Sequence, residues 1–528
     1  MARGLRPLRR NALAWLLSSS LGLPMAVVGC NGVTSRAPLV VSAVASAPGS
    51  RKRMASKHSR VRVFRAWLWS RKTELTILLL GVLLRMTMAW NYDVRWGYDA
   101  NEHWDVVSWI AIHKRVPYPE FTFEAFHPPL YYSLAAWLTT LGVTRANMAG
   151  VSIVMSCLEL AVIWMGVELY MDHSRLARVA ALALAAVVSA LIHLGGMVYP
   201  EALNCLLNAA VMLFVPLAFR RADSDRWPLT LLIGLLLGAA MLTKISTIAV
   251  VVAIALGVAI ELFSSGRSLR TRLLNLVPWT GALVVCLAVC GWYYGRNVRE
   301  YGRPFLTSFD MPSEEGRRSE HSLVEDAERK KFLDRRTLGF LFAWDDSLFI
   351  HPFAIWHQGA HDRLVPVAVA STFVDFWGYG FQGFDHPLPA KNRNRAMRDQ
   401  TETDGLARAA MIGGTGIFVA ALVSWFVACA RLARDRDFGR LTLVLVPLAT
   451  LIATFQFATK YPVDGYGVVK GIYMSFGAPP LYGLFGVAVG WGSRTPYRLP
   501  LVLFLLAALW CVGAYSIYCR LGIRLLPL

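Results

Sequence analysis

Charge is scarce in this chain. Only 17% of its 528 residues are Asp, Glu, Lys or Arg, against 55% hydrophobic. Together with a mean hydropathy of +0.45, that scarcity excludes an ordinary water-soluble globule. Cysteine is also sparse. Of 8 cysteines, Cys157, Cys205, Cys286, Cys290, Cys429, Cys511 and Cys519 lie in apolar runs and none lies in the long polar segments, so those segments hold no disulfide framework and no zinc-binding spacing. The phosphate-cradling GxxxxGK[ST] pattern is absent, which excludes ATP-driven transport by that motif. No convincing internal repeat is visible, in contrast to many secondary transporters.

What is present is a succession of apolar runs, each near the roughly 17 to 25 residues that cross a hydrocarbon core. They begin near Leu75 and recur at 150–171, 178–199, 202–219, 228–243, 245–263, 274–294, 411–430, 440–459, 472–492 and 499–519, with a shorter run at 129–144. The expected fold is an all-α polytopic membrane protein with about ten to thirteen transmembrane helices and two large outer-face loops.

The net charge of +20 does not point to nucleic acid, because the basic residues gather in short connectors rather than on one face with stacking aromatics. The basic block at 51–72 and the connectors 219–227, 264–272, 430–440 and 491–498 instead read as cytoplasmic by the positive-inside rule. All of them agree if 129–171 makes one net crossing, which makes 129–144 a short or re-entrant helix. Residues 92–128 and 295–410, the turn at 243–246 and the segment 460–471 then face outward. The expected organisation is a leader or over-extended start at 1–53, a membrane core at 54–294 containing the outer loop 92–128, an outer-face region at 295–410, and C-terminal spans at 411–528.

The loop 92–128 concentrates acids and histidines in GYDANEHWDVVSWIAIHKRVPYPEFTFEAFHPPLYY, residues 97–132. If 98–113 is helical, Asp99 and Glu102 share a face with His103 beside them, and Val106, Val107, Trp109 and Ile110 suit a helix lying at a membrane surface. A partly desolvated carboxylate there could act as a general base toward a hydroxyl. The same Asp99, Glu102 and His103 could instead hold a divalent cation. Solvated loop charge is the ordinary reading of a single exposed acid, but the density of this cluster is unlike a plain connector. His127 precedes Pro128-Pro129, which lack donors and suit a helix start, so its imidazole could meet a phosphate or serve as a structural hydrogen bonder.

Further candidates sit at the outer ends of spans: Glu201 after Tyr199-Pro200, Lys244 in a tight turn, Arg296 after GWYYG, and Lys470 before GIYM. Each cation could be a snorkelling anchor or a phosphate partner. Gly465, Gly467 and Gly471 would allow close approach of backbone and ligand beside Lys470. Glu201 is either a helix-dipole partner or a site residue. Between 295 and 410, residues 312–336 read as a solvated charged stretch. Residues 340–386, rich in Trp and His, read as an interfacial aromatic layer.

The order of GYDANEHW, FHPPLYY, VYPEALN, LTKIST, GWYYGRNVREYGRP, FWGYGF and VKGIYMSFGAPPLY, over about residues 74 to 492, resembles the bacterial polytopic members of the C-type glycosyltransferase superfamily. These are relatives of the protein O-mannosyltransferases and of the lipid A aminoarabinose transferase. The resemblance implies a catalytic acid in the first outer loop and transfer of a sugar from a polyprenyl-phosphate donor to a protein, lipid or polysaccharide acceptor. The implied place is the outer face of the cytoplasmic (inner) membrane, with inversion at the anomeric carbon. Carried over, Asp99 matches the first-loop acid, and Glu102 and His103 would support it. The residue before the double proline is Lys in the aminoarabinose branch and His127 here, as in the mannosyltransferase pattern. A polytopic transporter or lipid flippase is the alternative, with nucleic acid in neither reading.

Overall fold

A computed structural model of the chain describes residues 70–91, 94, 99–171, 174–221, 223–264, 268–307, 338–344, 349, 363–374, 390–460, 470–493 and 498–521. The leader at 1–53, the charged stretch 312–336, Gly465, Gly467 and most of the aromatic segment 340–386 lie outside these residues. Ser70–Leu528 is one compact unit. Among the described residues there are helices and no strands, so the all-α polytopic expectation holds.

The helices are α1 (Lys72–Asn91), α2 (Ala100–His113), α3 (Leu130–Thr140), α4 (Arg145–Tyr170), α5 (Arg175–Val187), α6 (Ser189–Leu194), α7 (Glu201–Arg220), α8 (Asp223–Met241), α9 (Ile248–Ser264), α10 (Leu269–Tyr301), α11 (Leu338–Phe342), α12 (Leu364–Phe373), α13 (Ala390–Arg434), α14 (Phe438–Lys460), α15 (Pro479–Gly492) and α16 (Leu499–Leu521). Two 3-10 turns, Ile245–Thr247 and Gly471–Gly477, precede α9 and α15. Among the described residues 8 helices are long and apolar enough to cross a membrane, or 9 if the pair Gly471–Gly477 and Pro479–Gly492, bent by 78°, is one span. That is fewer than hydropathy alone suggested, because hydropathy cannot see where an apolar run is broken.

Two such runs differ in an instructive way. The run at 129–144 forms α3, whose 11 residues extend about 16 Å and cannot cross a core of about 30 Å. This meets the expectation of a short segment beside the loop. The run at 178–199 is broken at Val188, between α5 and α6. A broken helix leaves its last four carbonyls without partners, and here each finds one. Val188 N–H donates to Leu184 O, the Arg85 guanidinium donates to Ala185 O at 3.3 Å and Ala186 O at 3.2 Å, and Ser516 Oγ donates to Val187 O at 2.7 Å. Arg85 is 1% exposed and also donates to Ser156 Oγ. A buried cation is thus held on the negative end of a helix.

The break turns the chain so that Tyr199-Pro200-Glu201 starts α7 at the same end of the bundle as the loop between α1 and α4. Running the chain on, the turn between α8 and α9, the end of α10 and the turn before α15 come to that end too. The opposite end carries the basic connectors, tied by Arg226 to Glu261 at 3.2 Å, Arg71 and Arg178 to Glu168, and Asp437 to Arg440 at 3.1 Å. Helix α13 begins at Ala390, inside the segment read as outer loop, so that segment is helical from 390 onward.

Neighbouring helices α8 and α10 pack along their length, as do α13 and α16, α5 and α15, α9 and α14, and α4 and α7. Small residues permit this closeness, as is usual where lipid supplies no hydrophobic drive between helices. A Cβ on Gly234 would run into the Ala282 carbonyl, and one on Gly257 into Thr442.

Gly234→Ala is expected to destabilise the detergent-solubilised protein by about 1–3 kcal/mol, since the obstacle is backbone. Gly150→Ala, where nothing lies within 4 Å of the added atom, serves as the control and should be neutral or slightly stabilising. Thermal unfolding of the two variants beside wild type checks the difference.

Candidate active site

Asp99 occupies the N-cap position of α2 in the left-handed conformation, φ 51° and ψ 33°, and its side chain makes no capping bond. Asp tolerates this region better than most residues. A non-glycine residue held there with its side chain turned away from capping is the kind of outlier found where function requires a direction. Asp99 lies close enough to the Glu124 carboxyl to lower its pKa, against the larger effect of burial.

Glu124 reaches this position through the tight turns that follow α2. Ala125 N–H bonds to Thr122 O and His127 N–H bonds to Glu124 O, a turn that sets the side chains of Glu124 and His127 side by side. Glu124 Oε2 lies 2.8 Å from His127 Nε2 and 3.9 Å from His103 Nε2. His103 stands on the buried face of α2 with Val106, Val107 and Ile110. Its Nδ1 is 2.7 Å from Tyr132 Oη, and its ring meets the Tyr199 ring edge-on with centroids 4.8 Å apart.

Pro128 and Pro129 cannot donate, so the first backbone donor at the start of α3 is Leu130 N–H. It bonds to Leu242 O at 2.8 Å, fastening the first loop to the turn that carries Lys244. Lys244 is 6% exposed and Glu201 fully buried; their charged atoms are 2.6 Å apart. The two helices that bring them together are joined by an amide ladder. Asn204 Nδ2 donates to Glu201 Oε1 and Ser246 Oγ, Thr247 Oγ1 donates to Asn204 Oδ1 at 2.8 Å, and Asn208 Nδ2 donates to Thr247 Oγ1. Lys244 Nζ lies over the Tyr199 and Tyr473 rings at 4.8 and 4.9 Å, and Lys470 Nζ over Tyr473 at 5.5 Å. Cation–π contacts of this kind partly replace lost water.

The electrostatics follow from burial. Desolvation pushes the Glu124 carboxyl from 4.5 up to about 8, against the opposing pull of Lys244 and Lys470. Burial likewise lowers His127 to about 3 and holds His103 well below its usual value, with His127, Lys244 and Lys470 adding to the effect on His103. Both imidazoles are therefore neutral near pH 7. The Glu124–His127 contact is a hydrogen bond between uncharged groups rather than an ion pair. His103 Nε2 and His127 Nδ1 are buried without a hydrogen-bond partner, so the site holds polar capacity that the protein itself does not use.

Of the candidates read from sequence, Asp99, His103, His127, Glu201, Lys244 and Lys470 fall in this one cluster. Glu102 is half-buried and near enough to act electrostatically on Glu124. Arg296 is not brought into contact with the two lysines. It lies over Tyr293 at 4.9 Å and 3.9 Å from Glu300, while Tyr293 Oη bonds to the Phe126 carbonyl at 2.8 Å, which puts Arg296 at the rim. Among the described residues no group of three or more His, Cys, Asp or Glu is disposed to hold a metal ion, so Asp99, Glu102 and His103 do not form the ligand set that their spacing allowed. Gly471 is approached by protein rather than ligand: its N–H donates to Ser371 Oγ at 2.6 Å. Sequence reading passed over Glu124, Tyr132 and Tyr473. Glu124 stands three residues before His127, the same spacing as Asp99 and Glu102, and that repeat was its available signal.

Fold and site together define a polytopic membrane protein with a buried acid–lysine–tyrosine cluster at one end of its helices. Residues 126–294 match the dolichyl-phosphate-mannose-protein mannosyltransferase family. The structure is similar to the apo oligosaccharyltransferase of Archaeoglobus fulgidus, with a TM-score of 0.50 and 13% identity over 86% of this chain and 56% of that one. Less similar are the same organism's AglB with an inhibitory peptide and a dolichol-phosphate, at 0.49 and 13% over 86% and 56%, and ArnT from Cupriavidus metallidurans bound to undecaprenyl phosphate, at 0.34 and 14% over 80% and 78%. The chain thus spans little more than half the length of the oligosaccharyltransferase, and at these identities the likeness is one of fold. No curated protein matches the sequence. The motif resemblance is in keeping with the family match over residues 126–294 and with the likeness of fold to the oligosaccharyltransferase.

Removing one partner of a buried ion pair strands the other charge at a cost of about 3–5 kcal/mol, whereas replacing both can be nearly neutral. Lys244→Met and Glu201→Leu should each lower the thermal stability of the solubilised protein markedly, and the double variant should recover much of the loss. Equal, additive losses in a double-mutant cycle would show that the pair is not coupled.

Proposed function

We propose that this protein is a membrane glycosyltransferase that moves a sugar from a polyprenyl-phosphate donor to an acceptor hydroxyl, with inversion, at the outer face of the cytoplasmic membrane. The observation that carries this reading is the meeting of two acid side chains, Asp99 and the buried Glu124, with two buried lysines, Lys244 and Lys470, around shared tyrosines. The mannosyltransferase family match covers the segment that supplies His127, Glu201 and Lys244.

Asp99 serves as the base. The acceptor hydroxyl oxygen attacks the anomeric carbon as its proton passes to Asp99. The bond from that carbon to the phosphate oxygen breaks, and the electron pair leaves with the phosphate. Lys244 and Lys470 stabilise the charge that gathers on the departing lipid phosphate, in a site where exclusion of water makes fixed cations count for more than in solution. The donor lipid reaches such a site from the bilayer and the acceptor reaches it from water, which suits a cluster at the helix ends. His103 Nε2 and His127 Nδ1, buried without partners, offer hydrogen bonds to a sugar.

The broken helix at Val188 and the 78° bend before α15 are features that a transporter or flippase would also show. The two readings separate in one experiment. Mass-spectrometric comparison of envelope glycans and lipid-linked sugars, with and without the protein, should reveal a missing glycosylated product together with accumulated donor; an altered solute distribution alone would favour transport. The same comparison made on a strain carrying Asp99→Asn should show product lowered on the order of a hundredfold or more, with the variant protein folded and present at wild-type level. Product at the wild-type rate in that strain would mean Asp99 is not the base.

A further inference from the structure

Helix α12 has 10 residues and extends about 15 Å, too short for a hydrocarbon core of about 30 Å. It is nonetheless apolar and buried along almost its whole length, so protein encloses it. Its C-terminal end is held from two sides. Tyr515 Oη of α16 donates to Val374 O at 2.8 Å, and the Phe373 ring fills the space that a Cβ on Gly414 of α13 would need. The turn before α15, which begins after Lys470, packs against the same helix.

The contact between them is a hydrogen bond next to the lysine. Gly471 N–H donates to Ser371 Oγ at 2.6 Å, and both groups are buried. As the first donor of a 3-10 turn, this N–H has no partner within the turn, and Ser371 supplies one from another helix. The Ser371 hydroxyl hydrogen is directed to Ala368 O at 3.2 Å, so toward Gly471 the oxygen acts as acceptor. Residue 471 has no room for a side chain, since an added Cβ would run into Thr372 Oγ1 and lie 2.7 Å from Thr372 N. The peptide between 470 and 471 therefore rests directly on the last turn of α12.

That peptide sets the direction of Lys470. The residue is extended, φ −125° and ψ 134°, and its carbonyl accepts from Tyr473 N–H at 3.0 Å. Side chains three residues apart line up in a 3-10 turn, which brings Lys470 Nζ over the Tyr473 ring at 5.5 Å. Lys244 Nζ meets the same ring at 4.9 Å. Two ammonium groups gathered at one ring repel each other, so the backbone beneath Lys470 must hold against that repulsion.

We infer that Ser371 is a positioning residue for Lys470: its oxygen, carried on the anchored end of α12, holds Gly471 N–H and so fixes the peptide from which the lysine reaches the site. The inference rests on the reading of Lys470 as a partner of the departing lipid phosphate. Swinging the lysine away would lift Gly471 from α12 and strand a buried N–H, which is costly. The short helix thereby contributes to the site without touching substrate.

The test measures binding of farnesyl phosphate, a short prenyl phosphate, to the solubilised full chain. Lys470→Met should weaken binding on the order of tenfold or more, the scale of a hydrogen bond to a charged group. Ser371→Ala removes the acceptor, and Ser371→Cys fills the same place with a sulfur that accepts only weakly. Each should weaken binding about fivefold, as for one neutral hydrogen bond. Added to Lys470→Met, neither should weaken it further, because Ser371 acts through that lysine.

A serine that only stabilised the fold would lower affinity equally in both backgrounds, and that additive result would overturn the inference. Wild-type affinity in Ser371→Cys would overturn it as well, and this variant decides alone if Ser371→Ala does not fold. The underlying reading fails separately. A folded Lys470→Met protein that bound farnesyl phosphate as wild type does would remove Lys470 from phosphate binding, whereas an impaired Lys470→Met beside an unimpaired Ser371→Cys would sink only the role of Ser371.

Discussion

Charge inside an apolar bundle must be answered by opposite charge, by a carbonyl or by a proton, and the described part of this protein is organised by the three answers. Lys244 takes the first, with Glu201 at 2.6 Å. Arg85 takes the second, on the carbonyls of a broken helix. Glu124 takes the third. Each answer fixes a piece of backbone: the ion pair joins α7 to the α8–α9 turn, the arginine holds the break between α5 and α6, and the neutral acid holds His127 at 2.8 Å at the end of the first loop.

The dependence runs in order. Without Arg85 and Ser516 on the exposed carbonyls, the run at 178–199 would gain by continuing as one helix, and Tyr199-Pro200-Glu201 would not be presented where Lys244 can meet it. Without the Leu130 N–H to Leu242 O bond, the first loop would lose its fastening to that same turn. The double proline contributes by what it lacks, since two missing donors leave Leu130 as the first N–H able to reach across. Function is thus assembled from helix ends, where backbone groups are unsatisfied and side chains from several segments can converge.

Much of the membrane fold was legible from hydropathy and connector charge. The spans at 202–219, 440–459 and 499–519 became Glu201–Arg220, Phe438–Lys460 and Leu499–Leu521, because a continuous apolar run has one favourable form in lipid. The short helix after the double proline followed from the need for consistent topology. Among the described residues fewer helices qualify as spans than the apolar runs suggested, because a run reads the same whether or not it is broken, and the break at Val188 is held by Arg85, about a hundred residues away. In the site, Asp99, His103 and His127 stood out by density of polar groups, whereas Glu124 looked like any loop acid. Arg296 has the type and position of a phosphate partner yet lies at the rim over Tyr293.

The sequence by itself determined that this chain has membrane-crossing runs, that its polar chemistry gathers in a loop after the first span and at a few helix ends, and that its motif order resembles that of C-type glycosyltransferases. Those properties depend on local composition and spacing, which the chain carries without folding. Tertiary structure alone decided which helix ends meet, that Lys244 faces Glu201 while Asp99 faces Glu124, and that the three candidate metal ligands do not gather as a site. Ionisation belongs to the same category. Whether an acid holds its proton depends on the water removed from around it and on charges brought from distant segments, and neither exists until the helices have packed.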